Sequence, residues 1–116
     1  MIKLYGIKNC DTCCRARKWM DAEGIEYQFC DFRVVGLRKD KLKLWTDNLG
    51  WEALLNRRGT TWRQLPETTR KAINERSAET LMFKNSTLIK RPVIEAGHQV
   101  FVGFTVSEQE KLQNLK

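Results

Sequence analysis

The sequence predicts an α/β fold around a mixed β-sheet, and three observations carry that expectation. Within the first quarter of the chain an apolar run, a helical pattern and a second apolar run follow one another. That is the spacing of a βαβ unit with parallel strands. Near the other end two apolar runs flank the dipeptide Gly97-His98, a two-residue turn signal that implies an antiparallel pair. A helical pattern opened by a polar cap closes the chain. Strands of both senses with helices between them form a layered α/β architecture.

Taken in order, Ile2 to Gly6 is the first strand, ending at glycine. From Asp11 to Glu23, Cys13, Ala16 and Met20 recur three and four apart on one helical face. Gly24 stands where the C-terminal cap of that helix is expected. Tyr27 to Phe32, rich in aromatics, is the second strand. From Lys39 to about Phe83 the pattern is helical. Leu42, Trp45 and Leu49 mark one amphipathic face, and Trp51 to Leu55 begins another segment. Gly59 to Pro66 breaks the pattern and Thr68 to Met82 resumes it. With charge on its outer faces, this stretch (about 39–83) reads as a helical insertion within a single domain spanning 1–116. Pro92 to Ala96 and Gln99 to Phe104 are the hairpin strands. Ser107-Glu108-Gln109-Glu110 fits a capping box that opens a last helix through Leu115. There is no internal repeat.

Composition narrows the function. Apolar residues make up 41% of the 116 positions and are spread along the chain, which supports a packed core and argues against disorder. The opening run to Ile7 is too short for a secretory segment, and Lys8 interrupts it. No apolar run approaches ~18 residues, so no membrane span is expected. A soluble cytoplasmic protein is the expectation. The formal charge of +7, from 21 Lys and Arg against 14 Asp and Glu, favours anionic partners such as nucleic acid, an acidic protein face, an oxyanion or glutathione. Direct DNA reading is not expected, because no basic helix with groove-reading spacing stands out.

The chemistry concentrates at Cys10, Cys13, Cys14 and Cys30. In a reducing compartment such a cluster indicates redox chemistry or metal binding rather than structural disulfides. Cys10 sits just before a helix, where unpaired N–H groups and the helix dipole stabilise a thiolate. Lys8, Arg15 and Arg17 add positive potential. With Cys10, Cys13 completes a C-x-x-C motif, its sulfur facing the core as a resolving thiol. Zinc competes for clustered cysteines, but a structural site wants two paired ligand sets. There is one here, and His98 is the sole histidine, so no metal is expected. Cys14 and Cys30 read as packing residues.

The run Leu4-Tyr5-Gly6-Ile7-Lys8-Asn9-Cys10-Asp11-Thr12-Cys13 resembles the start of the ArsC/Spx/YffB family. So do Ala53-Leu54-Leu55-Asn56-Arg57-Arg58-Gly59-Thr60, Ile89-Lys90-Arg91-Pro92 and Val102-Gly103-Phe104. The resemblance runs the full length and is nearest the YffB-like branch. It implies a thioredoxin-like, glutaredoxin-type fold with a helical insertion. In the family's arsenate reductases one cysteine attacks arsenate, glutathione then forms a mixed disulfide, and glutaredoxin resolves it. Cys10 matches that cysteine. Arg91 matches an oxyanion-binding arginine, Arg58 or Arg57 falls near a second, and Pro92 is implied to be cis. Thr12, within the first motif, is included among the substrate-binding residues with Arg58, Arg91 and Pro92. Guanidinium suits either an oxyanion or a glutathione carboxylate.

The chain also departs from the arsenate reductases. Gly6 stands where they carry histidine, Cys13 where serine is usual, and Val100 to Phe104 lacks their third arginine. These differences point to a glutathione-dependent thiol reductase acting on a small disulfide or oxyanion, with glutaredoxin as a further partner. Two alternatives stay open: a genuine glutaredoxin-dependent arsenate reductase, and an Spx-like redox-switched regulator that binds RNA polymerase.

Overall fold

The computed structural model describes residues 2–115. Its elements in chain order are β1 (Ile2–Gly6), α1 (Asp11–Ala22), β2 (Tyr27–Asp31), α2 (Phe32–Val35), α3 (Lys39–Leu49), α4 (Trp51–Leu54), α5 (Thr60–Gln64), α6 (Glu67–Lys71) and α7 (Glu75–Lys84). A 3₁₀ turn (Ser86–Leu88) follows, then β3 (Val93–Ala96), β4 (Gln99–Val102) and α8 (Val106–Asn114). Two compact units divide the chain: Met1–Gly36 with Arg91–Lys116, and Leu37–Lys90.

The first unit holds the sheet, in strand order β2-β1-β3-β4. β1 runs parallel to β2 and antiparallel to β3, and β3 is antiparallel to β4. The mixed sheet expected from the sequence is therefore present. Register places Phe29, Leu4, Ile94 and Phe101 in one row across it. That row packs with Ala16 and Met20 of α1 and Leu112 of α8 as one apolar cluster. Trp19 meets Phe104 edge-on, with ring centroids 5.5 Å apart.

The end of α1 shows why Gly24 is needed. Its φ is +70°, and its N–H reaches Asp21 O at 3.2 Å while Ile25 N–H reaches Met20 O at 2.9 Å. This pair of bonds is a Schellman cap, which requires a left-handed residue. Met20 and Ile25 are both buried in the cluster.

Several boundaries differ from the sequence reading. β2 ends at Asp31, because Asp31 Oδ1 accepts the Arg33 N–H at 2.8 Å and starts α2 there. β4 ends at Val102, where Gly103 donates its N–H to Pro92 O at 2.8 Å. The capping box of α8 lies two residues earlier than Ser107: Thr105 donates both its N–H and its hydroxyl to Glu108 Oε1, each at 2.7 Å.

The second unit is helical from Lys39 to Leu88. Leu42, Trp45, Leu54, Ala78 and Met82 are buried, and α3, α4 and α7 pack together. Buried Thr46 donates its hydroxyl to Glu79 Oε1 at 2.9 Å. Leu49, expected on the buried face of α3, is only half-buried. Gly59 to Pro66, expected as a break, contains α5; Gly59 and Pro66 are the N-caps of α5 and α6 and so flank it. The continuous helix expected over Thr68 to Met82 is instead two, because Asn74 opens α7 by accepting the Ser77 N–H at 2.9 Å.

Candidate active site

Cys10 is the N-cap residue of α1, with extended backbone (φ −82°, ψ 124°). Its N–H donates to Ile7 O at 3.1 Å, and its carbonyl accepts the first helical bond from Cys14 N–H at 2.9 Å. Burial opposes ionisation of the Cys10 thiol. Against burial act the Cys13 backbone N–H, the Arg91 guanidinium by hydrogen bond and by charge, and the Cys13 thiol. Together they hold Cys10 below its ordinary value, the condition of a nucleophilic cysteine.

Cys13, one helical turn on, is fully buried. Burial pushes its thiol up to about 12, the neighbouring Cys10 sulfur adds to that, and the Ile7 backbone N–H and Arg91 act the other way. The two thiols are thus opposite in character: one poised as thiolate, the other held as thiol. No disulfide joins any of the four cysteines.

Arg91 and Pro92 belong to the same unit, immediately before β3. The Arg91–Pro92 peptide is cis, as the resemblance implied, and Pro92 is buried. β3 pairs directly with β1, and this pairing brings an arginine from position 91 to a cysteine at position 10. Thr12 is half-buried in the first turn of α1. Arg58 belongs to the helical unit, exposed, with its backbone N–H on Asn56 Oδ1 at 3.1 Å. Its neighbour Arg57 is differently engaged, its guanidinium lying 5.8 Å from the Trp51 ring and 5.6 Å from that of Trp62. Of the residues singled out in the sequence, Cys10, Cys13 and Arg91 form the constellation.

Cys14 donates its thiol to Lys8 O at 3.3 Å, a loop-fastening contact. Cys30 is buried on β2 in register with Tyr5. No group of three or more His, Cys, Asp or Glu arranged to hold a metal occurs among the described residues.

Asp31 has a role that pattern reading did not single out; its only signal is an acid at a strand end. Its Oδ2 accepts the Lys8 backbone N–H at 3.0 Å while its Oδ1 serves Arg33. The carboxylate therefore ties the loop before Cys10 to the end of β2. Burial opposes its ionisation, but the Arg33 and Lys8 N–H groups and their charges hold the carboxyl below the usual range. A depressed carboxyl contributes stability above the unfolded pKa of about 3.9 and loses it as pH falls through the folded value. Asp31→Asn is accordingly expected to be less stable than wild type at pH 7. The gap should close below about pH 4, as measured by denaturant titrations at both pH values.

The ArsC family model matches residues 5–112. A protein of Haemophilus influenzae is 40% identical over 110 residues, spanning 95% of this chain and 96% of its own length. The global transcriptional regulator Spx of Streptococcus mutans is 25% identical over 112 residues, covering 93% of this chain and 80% of its own. Among solved structures, the YffB (PA3664) protein superposes with a TM-score of 0.91 at 39% identity, over 97% of this chain and 98% of that one. An arsenate reductase (ArsC) related protein from Brucella melitensis gives 0.80 at 42% identity, over 95% and 92%. With the mixed sheet, the cysteine at the start of α1 and these full-length matches in agreement, the chain belongs to the ArsC family.

Proposed function

We propose that this protein is a glutathione-linked thiol oxidoreductase, working in the reducing cytoplasm, with Cys10 as its nucleophile. The observation that carries this reading is the Cys10 thiol at the start of α1, supported by the Cys13 N–H and Arg91. The Cys10 thiolate attacks the glutathionyl sulfur of a glutathione mixed disulfide; a Cys10–glutathione bond forms as the S–S bond breaks, and the other thiolate leaves and takes up a proton. Glutathione then attacks the mixed disulfide at Cys10 and departs as oxidised glutathione, so two electrons pass from glutathione to substrate. Glutaredoxin, a protein dithiol, is an alternative acceptor of the glutathionyl group. Arg91 offers a planar guanidinium to a carboxylate or oxyanion held beside Cys10, and Thr12, in the first turn of α1, is a further candidate substrate contact.

Arsenate reduction is the reading to test against. An oxyanion site gains from each preorganised donor, and the loss of one commonly costs about 10²–10³ in rate. Val100 to Phe104 supplies no arginine and position 6 no side chain. With glutathione and glutaredoxin supplied, kcat/KM for arsenate is expected to fall at least about 10² below that for a glutathione mixed disulfide. Arsenate turnover equal to disulfide turnover overturns this preference. The similarity to the Spx regulator favours a second reading, a redox-switched partner of RNA polymerase. Retention of RNA polymerase by the immobilised protein, changing with the oxidation state of Cys10 and Cys13, is the result that would establish it.

A further inference from the structure

We propose that Gly6 is a positioning residue for the Cys10–Cys13 pair: its missing side chain is the space that the Cys13 sulfur occupies. This inference rests on the thiol oxidoreductase reading and adds to it an intramolecular route for resolving the mixed disulfide.

Gly6 ends β1 and is buried. Its φ lies outside the left-handed region, so its backbone accepts any L-residue; room, not conformational freedom, is what glycine supplies here. A β-carbon added at this position overlaps Cys13 Sγ. Its other neighbours are relaxed, with Cys13 Cβ at 3.5 Å and Leu4 Cδ2 at 3.9 Å. The conflict is with one atom, the sulfur. That sulfur is the one engaged with the Ile7 backbone N–H and with Cys10. Cys13 is fully buried in the first turn of α1, where a displaced sulfur finds little space in a close-packed interior.

The chemistry follows from the placement. Once Cys10 carries a glutathionyl group, the Cys13 thiol loses its proton and attacks the Cys10 sulfur. A Cys10–Cys13 bond forms, the bond to glutathione breaks, and the glutathione thiolate leaves and is protonated. Two further glutathione molecules return the pair to dithiol and depart as oxidised glutathione. Disulfide geometry tolerates only small errors in sulfur position, so shifting Cys13 Sγ disables this step and spares the first attack by Cys10.

The test uses the full chain in glutathione redox buffers of fixed potential, with acid quenching, alkylation and intact mass. These separate the dithiol, glutathionylated and internally disulfide-bonded forms. Wild type is expected to accumulate the internal disulfide. Gly6→Ala is expected to lower the ratio of internal disulfide to glutathionylated Cys10 at least tenfold. Removing the sulfur removes the conflict, so Gly6→Ala/Cys13→Ala is expected to match Cys13→Ala in melting temperature and in the pH profile of Cys10 alkylation.

A Gly6→Ala ratio within twofold of wild type overturns the role of Gly6 and leaves the Cys10 assignment standing. A wild type in which Cys10 is not the fastest thiol to alkylate overturns the functional reading itself, and this inference with it. Should Gly6→Ala not fold, the double variant decides: recovered folding supports the sulfur overlap, and a double variant that stays unfolded overturns it.

Discussion

Replacing Cys10 with serine is expected to reduce turnover of a glutathione mixed disulfide to the uncatalysed background. The groups around Cys10 explain why no neighbour substitutes for it. Cys13 is buried and held as a thiol up to about 12, and Cys14 is turned onto Lys8 O. A serine hydroxyl in the same place is a far weaker nucleophile without a general base beside it, and the sole histidine, His98, lies in the hairpin turn. Cys14→Ser and Cys30→Ser are expected to keep near-wild-type turnover. Alkylation rates of single-cysteine variants across pH give the companion measurement. The Cys10 rate should reach half of its plateau below the ordinary thiol value of about 8.5, because its thiolate is the stabilised form. Faster alkylation at Cys14 or Cys30 at neutral pH would contradict the assignment.

The second large effect is expected at Arg91. Arg91→Ala removes both a hydrogen bond and a positive charge that favour the Cys10 thiolate, so the alkylation profile of Cys10 should move to higher pH. It also removes the guanidinium proposed to hold an anion beside the sulfur. A hydrogen bond to a charged group is worth about 1.5–3 kcal/mol, so the dissociation constant for a glutathione-like anion should rise roughly 10- to 150-fold. Arg91→Lys keeps charge but not the planar fork, and is expected to restore the alkylation profile more fully than the affinity. Titration calorimetry beside thermal melting separates binding from folding. An unchanged dissociation constant together with an unmoved alkylation profile would remove Arg91 from the site.

The architecture was legible where local pattern and tertiary packing agree. Cys13, Ala16 and Met20 are spaced as a core-facing stripe and are buried as one; Gly24 and Gly97-His98 carry their turns in their own chemistry. It was illegible where a side chain chose between two local options. Thr105 and Ser107 both precede an acid by three residues, and the burial of Phe104 beside Trp19 accompanies a helix that starts from Thr105. The strand pattern read over Tyr27 to Phe32 runs one residue too far, because the Asp31 side chain caps a turn of helix that begins at Phe32. The nucleophile could be read from its position before a helix. Its arginine partner, some eighty residues away in sequence, could be placed only through the family resemblance, and no sequence signal marked the space at Gly6.

The pairing of β1 with β3 joins residues 90 positions apart, as Tyr5 and Glu95 show, whereas Leu37–Lys90 is continuous in the chain. Contacts this distant close slowly relative to local helical ones. During synthesis the cysteines leave the ribosome long before Arg91 and β3 exist. A growing chain therefore carries Cys10 without the guanidinium that favours its thiolate. The Cys13 N–H within α1 can favour the thiolate as soon as that helix forms, whereas the share that Arg91 contributes arrives only when β3 docks.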